Sequence, residues 1–176
     1  VAGAAMASAN VPMMTANNID YILATGGAAG SFTCGTDAGM KVALASYLAG
    51  FVGTSNVMAG KAYGIPIVGT MAHSFISSFE HEIDAFRAYV RSFPHNAILL
   101  IDTYDTLQGA RNAVQIAKEM ATRGETLIGV RLDSGDLANI ARQVRKILDD
   151  ANLPGIKIIG SGGLDEYDLA ELAAAD

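Results

Sequence analysis

What this chain of 176 residues lacks narrows its function before any motif is read. Cys34 is its one cysteine, so a disulfide framework and a Cys-rich zinc site are both excluded. A reducing compartment suits that usage, and the cytoplasm is the default reading. Positive charge is scarce: 12 Lys and Arg stand against 18 Asp and Glu, a formal net charge of −6. That leaves no basic footprint for nucleic acid and no Lys/Arg-rich helix for a membrane surface. No run of about 18 apolar residues is available to span a bilayer. The start, VAGAAMASANVPMM, lacks the basic residues of a signal peptide and begins at valine rather than methionine, so the chain reads as a fragment. No two of the three histidines have the helical spacing of HExxH, which argues against a transition-metal site. What remains is a chain 51% hydrophobic and 17% charged, enough to bury one globular core.

Residues 1–33, rich in Ala, Gly, Asn and Met, show no helical or strand period and stay unassigned. Within them TGGAAG (Thr25–Gly30) faintly resembles a phosphate loop, but no helix pattern opens after it and no P-loop lysine follows; it reads as a turn or linker. Residues 34–176 have a rhythm. Asp37–Phe51 is an Ala-rich helix, and short apolar runs then recur about every 30 residues: Ile65–Val68, Ala97–Ile101, Leu127–Val130 and Ile156–Ile159. Each has the continuous apolar character of a buried parallel strand. Between them lie helical stripes at spacings of three and four: Phe79, Ile83, Phe86, Val90; Leu107, Ala110, Val114, Ala117; Leu137, Ile140, Ala141, Val144, Ile147, Leu148. Asp165 opens a further helix, Glu166–Ala175. The alternation predicts an α/β fold of parallel βα repeats, and local pattern leaves open whether they form a doubly wound sheet or part of an α/β barrel.

In both architectures ligands bind beyond the carboxyl ends of the strands. All four of those ends are polar here: Gly69-Thr70-Met71-Ala72-His73-Ser74, Asp102-Thr103-Tyr104-Asp105-Thr106, Arg131-Leu132-Asp133-Ser134-Gly135-Asp136 and Gly160-Ser161-Gly162-Gly163. Helix capping accounts for about one acid per loop, since Asp105 or Thr106, Asp133 or Ser134, and Asp165 are good N-caps. It leaves Asp102, Arg131 and one of Asp133 and Asp136 as candidate site residues. Ser161-Gly162-Gly163 suits either a plain turn or a phosphate at a helix start. His73 stands on the rim with Thr70 and Ser74, whereas His81 and His95 read as solvent-exposed.

Four segments then carry a resemblance: Gly50–Phe75 (GFVGTSNVMAGKAYGIPIVGTMAHSF), Leu99–Thr106 (LLIDTYDT), Gly129–Leu137 (GVRLDSGDL) and Gly160–Glu166 (GSGGLDE). In this order and spacing they resemble nicotinate phosphoribosyltransferase, over about Gly35 to Asp176. The resemblance implies an irregular, TIM-like α/β barrel with a second domain, assembled as a homodimer. It also implies transfer of phosphoribosyl from 5-phosphoribosyl 1-diphosphate to nicotinate in NAD salvage, with Mg²⁺ on the diphosphate and coupling to ATP hydrolysis. By it, His73 takes a phosphoryl group from ATP with Ser74 beside it, and Arg131 faces the nicotinate carboxylate. Asp133 and Asp136 hold the ribose and Mg²⁺-diphosphate end, Asp133 counting with His73 as catalytic. Ser161, Gly162 and Gly163 line the phosphate region; Thr70, Asp102 and Ser134 complete the substrate-binding set, and the metal's own ligands stay unassigned.

The family's pair of substrate-contacting arginines falls where this chain reads Ser31-Phe32-Thr33-Cys34. The chain therefore reads as an incomplete copy of the enzyme core or a degenerate relative. Two other readings follow: an inactive fragment that binds phosphate compounds or only packs with a partner, and the related nicotinamide-specific enzyme, which the wording DTYDT and SGGLDE fits less well.

Overall fold

The computed structural model describes residues 7–9, 21–24, 26–51, 53–162, 164, 167–168, 170 and 172, with side chains from residue 36 onward. In chain order the elements are β1 (Ala7–Ala9), β2 (Tyr21–Ala24), α1 (Gly26–Leu48), β3 (Gly53–Thr54), α2 (Val57–Tyr63), α3 (His73–Ile76), α4 (Glu82–Ser92), β4 (Ile98–Leu100), α5 (Thr106–Ala121), β5 (Gly129–Leu132), α6 (Leu137–Asp150) and β6 (Lys157–Gly160). No helix among the described residues is long and apolar enough to cross a membrane.

Three of the four apolar runs overlap the parallel strands β4, β5 and β6, with β5 displaced two residues onward from Leu127–Val130 so that it includes Arg131 and Leu132, in register Leu99↔Val130 and Val130↔Ile158. Their residues are buried on both faces, as continuous apolar runs require. The helices between them cover the sheet with the expected stripes in part: Phe79 precedes α4, and Ile83, Leu107, Val114, Ile140 and Ile147 are only partly buried. Phe86 and Val90 from α4, Ala110 and Ala117 from α5, and Leu137, Ala141, Val144 and Leu148 from α6 are buried, joined by Ala85, Ala113, Ile116 and Met120. Together with Leu99, Leu100, Ile101, Leu132 and Ile158 they make one continuous core. Helix α5 comes so close to the end of β4 that a Cβ at Gly109 would lie 2.1 Å from the Ile101 carbonyl oxygen. That approach fixes the depth at which the following loop sits.

The rest of the sheet departs from the sequence reading. Strand order is β3-β1-β2-β6-β5-β4, with β2 parallel to β6 but β1 antiparallel to both β2 and β3. The sheet is therefore mixed rather than wholly parallel, and part of the unassigned segment 1–33 supplies two of its strands. Ile65–Val68 does not form the expected strand: only Ile67 bridges, to Thr54. Pro66 has no N–H to give to a ladder, and its carbonyl oxygen is taken by the Thr54 N–H at 2.9 Å, while Val68 N–H returns to the Thr54 oxygen at 3.0 Å. Residues 26–30, expected as a turn or linker, begin α1, so the helix placed at Asp37–Phe51 starts earlier and ends at Leu48. Most of the expected helix Glu166–Ala175, with Asp165, lies outside the described residues.

Candidate active site

Arg131 is the residue around which the rim is organised. It leaves β5 pointing into protein rather than water, with only 3% of its side chain exposed. A buried guanidinium is tolerable only if its donors find acceptors. Here Nε donates to Ser161 Oγ at 2.7 Å, Nη1 to Thr70 Oγ1 at 2.7 Å and to the Met71 carbonyl at 3.4 Å, and Nη2 to Asp133 Oδ1 at 2.6 Å. Four of its five N–H groups are thereby engaged, and they tie the segment after Ile67, the end of β5 and the end of β6 together.

Asp133 is the second junction. Its Oδ1 also meets the Ser161 hydroxyl, which has the Leu132 carbonyl at 3.0 Å as its other acceptor. Burial works against the Asp133 carboxylate, but the hydrogen bonds from Ser161 and Arg131, with the nearby charge of Arg131 and His73, outweigh it and hold the group below the usual carboxylate range. Its backbone N–H donates to Asp102 Oδ2 at 2.8 Å, and Ser134 Oγ donates to the same oxygen at 2.7 Å. Asp102, at the end of β4, thus ties two adjacent loops. Its other oxygen, Oδ1, is buried without a hydrogen-bond partner among the described residues.

His73 opens α3 and closes the cluster. Its Nδ1 lies 3.0 Å from Thr103 Oγ1, while Nε2 lies 3.6 Å from Asp133 Oδ2 and 3.9 Å from Asp102 Oδ1. The imidazole is 43% exposed, while the Asp102 side chain that Nε2 faces is only 2% exposed. In the tautomer whose Nδ1–H donates to Thr103, Nε2 carries a free lone pair between two carboxylates.

Of the residues singled out from sequence, Thr70, His73, Asp102, Arg131, Asp133, Ser134 and Ser161 converge on this cluster. Gly162 follows Ser161 with φ +121°, and a Cβ there would stand 2.8 Å from the Asp133 carbonyl oxygen, so the loop needs glycine both for its backbone and for close approach. Asp136 is occupied elsewhere: its side chain accepts the Asn139 N–H at 3.1 Å and caps α6. Asp105 caps α5 in the same way, through the Gln108 N–H. Ser74 is exposed on α3. Gly163 lies outside the described residues. Sequence reasoning missed Thr103 and the Met71 carbonyl. Thr103 had a signal, since it directly follows Asp102 on the rim; a backbone acceptor such as that of Met71 has none.

Comparison with known proteins shows what this chain is similar to. The model of the nicotinate phosphoribosyltransferase (NAPRTase) family matches residues 35–175. Nicotinate phosphoribosyltransferase pncB2 of Mycobacterium tuberculosis is 50% identical over 141 residues, covering 80% of this chain and 30% of its own length. The Bacillus subtilis nicotinate phosphoribosyltransferase is 44% identical over 139 residues, covering 78% of this chain and 28% of its own. The crystal structure of human nicotinic acid phosphoribosyltransferase superposes with a TM-score of 0.74 at 32% identity, covering 79% of this chain and 39% of that one. The chain thus spans under a third of the length of these two bacterial relatives.

Proposed function

The chain belongs to the nicotinate phosphoribosyltransferase family, and from that membership we propose that it carries the catalytic rim of an enzyme joining nicotinate to the ribose of 5-phosphoribosyl 1-diphosphate. The nicotinate nitrogen bonds to the ribosyl carbon as the bond from that carbon to diphosphate oxygen breaks, giving nicotinate mononucleotide and diphosphate. The observation that carries this reading is the convergence of His73, Asp102, Arg131, Asp133 and Ser161 on one rim.

Each residue has a task that its chemistry supports. Positive charge grows on the sugar as diphosphate departs, and the Asp133 carboxylate, held ionised, stabilises it. Arg131 presents a planar cation suited to the nicotinate carboxylate. The Ser161 hydroxyl and the Gly162 backbone suit phosphate oxygens. In the ATP-coupled step His73 Nε2 attacks the terminal phosphorus, the N–P bond forms, the P–O bond to ADP breaks, and Thr103 fixes the ring by holding Nδ1.

A polyphosphate cannot approach two carboxylates without a counter-charge, and the residues fit Mg²⁺. Asp102 Oδ1 is a buried hard oxygen with no hydrogen-bond partner among the described residues, and Asp133 supplies a second carboxylate. Among the described residues no cluster of three His, Cys, Asp or Glu could hold a metal. Mg²⁺ bound with phosphate needs only one or two carboxylates. The ion would neutralise charge on the leaving diphosphate.

We assign the mixed sheet to part of an irregular α/β barrel. A cleft of about 670 Å³ between the segment Ile67–Thr70, bridged to Thr54 of β3, and Ile98 of β4 with Ile128 supports that reading.

The test is formation of nicotinate mononucleotide from nicotinate, donor, Mg²⁺ and ATP, followed chromatographically, with calorimetry of donor binding in parallel. Turnover lost in Arg131→Met, with ATP consumption lost in His73→Ala, is the expected result. Ser31–Cys34, which stand where the family carries two arginines, favour a second reading as a binder without chemistry; donor binding with no product would establish it. Preferential use of nicotinamide in a competition assay would transfer the chain to the amide-specific relatives.

A further inference from the structure

Glu82 is a half-buried carboxyl that this mechanism does not use. A glutamate in the first turn of a helix ordinarily sits in water, favoured by the helix dipole. Here Oε1 is buried with no hydrogen-bond partner among the described residues, and Oε2 accepts a hydrogen bond from Asn112 Nδ2 at 2.9 Å. Burial, together with the negative charge of Asp102 and Asp105, pushes the carboxyl above its ordinary 4.5 despite the bond from Asn112. The position is unfavourable for a carboxylate, so its contact with Asn112 calls for a reason.

Holding α4 against α5 is not a sufficient one. At the other end of the same helix pair Arg87 already spans them, donating from Nε and Nη2 to Glu119 at 3.1 and 2.8 Å. Apolar stripes from both helices also meet in the core. What the Glu82–Asn112 contact adds is a grip at the rim end. From Asn112 the connection continues: its Oδ1 accepts from Gln108 Nε2 at 3.1 Å, and the Gln108 backbone N–H donates to Asp105 Oδ1 at 2.7 Å. Asp105 closes the loop that begins at Asp102. That loop supplies both Thr103, 3.0 Å from His73 Nδ1, and Asp102, 3.9 Å from Nε2. His73 itself rides on α3, which packs against α4.

We propose that Glu82, with Asn112, is a positioning residue for His73: the pair fixes the start of α5 to α4, and through it the loop carrying both partners of the imidazole. Helix α4 then holds the histidine on one side and its partners on the other, so the ring and the loop move together. The proposal rests on the reading of His73 as the reacting group, but the arrangement can be measured without substrate.

The experiment uses the full chain, labelled with ¹⁵N at histidine, and reads the imidazole nitrogens of His73 by NMR with His95 as internal reference. In Glu82→Ala and Asn112→Asp the His73 Nδ1 and Nε2 signals shift away from the wild-type pattern while those of His95 stay. Glu82→Gln keeps an acceptor for Asn112 and retains the wild-type pattern. The exchange Glu82→Gln/Asn112→Asp reverses donor and acceptor, still accepts from Gln108, and restores what Asn112→Asp alone loses. In the turnover assay the disruptive variants lose about tenfold in kcat with little change in KM for nicotinate. Unmoved His73 signals in a folded Glu82→Ala, or a folded exchange variant that fails to restore them, overturn the proposal. If Glu82→Ala does not fold, Asn112→Asp and the exchange variant decide alone. A chain that makes no nucleotide but shows the shifts contradicts the assigned activity and upholds the coupling.

Discussion

Two regions of the molecule are each held by an arginine with carboxylate partners, and they differ in what else the arginine must satisfy. On the outer face Arg87 of α4 reaches Glu119 of α5 and Asp84 one turn back, with 31% of its side chain in solvent. On the rim Arg131 is 3% exposed and its partners come from three separate stretches of chain. Removal of Arg87 lets water take over each acceptor. Removal of Arg131 strands the buried Ser161 hydroxyl and leaves the half-buried Asp133 and Thr70 without their buried donor. Similar ion pairs on paper therefore have unequal consequences, and burial decides between them.

Arg131→Met is the sharpest way to test that contrast. It leaves the half-buried Asp133 carboxylate, 24% exposed, without its cation, and a loss of about 3 kcal/mol, the low end for a broken buried pair, is expected in urea unfolding. Gly162→Ala comes next, since a side chain at φ +121° meets the Asp133 carbonyl; the expected cost is ~1–3 kcal/mol, with turnover reduced as the loop shifts. A third test uses pH. Asp133 has a depressed folded-state pKa, so its contribution is present above the ordinary 3.8 and lost as pH falls through the folded value. Glu82 has the opposite sign: its folded pKa is raised, so stability declines as pH rises from 4.5 through the folded value. Asp133→Asn is expected to flatten the acid limb of a stability–pH profile, and Glu82→Gln to remove the decline above 4.5. The smallest effect belongs to Arg87→Ala, whose melting midpoint is expected to stay close to that of the wild type. A large drop there would erase the distinction between the two regions.

The same contrast governs what could be read from the sequence. Ala97–Ile101, Leu127–Val130 and Ile156–Ile159 announce buried strands because a strand covered on both faces must be apolar throughout, and the polar residues after each run mark the rim. The run Ile65–Val68 looks equally apolar, yet Pro66 lacks the donor a ladder needs and only a bridge at Ile67 forms. Strand β1, with the composition Ala-Ser-Ala, has no pattern to read; it is defined by its partners, and pairing is a non-local property. Residues 26–30 read as a linker because glycine is a poor helix former, and tertiary context overrides that preference in α1. In the site, charged and hydroxyl side chains on the rim were legible as candidates, but not their division of labour. Asp136 and Asp133 look alike in the string; one spends its oxygen on a helix start and the other on Arg131. Glu82 was invisible, because a first-turn glutamate is the commonest of surface residues until the neighbouring loop covers it.

The near-complete occupation of Arg131 has one further consequence. An incoming carboxylate finds a single uncommitted N–H, and a second contact requires Ser161, Thr70, Met71 or Asp133 to give one up. Recognition at this guanidinium is thus a displacement rather than an addition, and the measured affinity is the difference between the incoming bonds and those surrendered. An acid whose arrival also gives the released group a new partner, such as a phosphate oxygen beside Ser161, binds more tightly than the acid alone. Under the function proposed above, the two substrates would then be coupled through a single side chain that neither leaves nor enters the site.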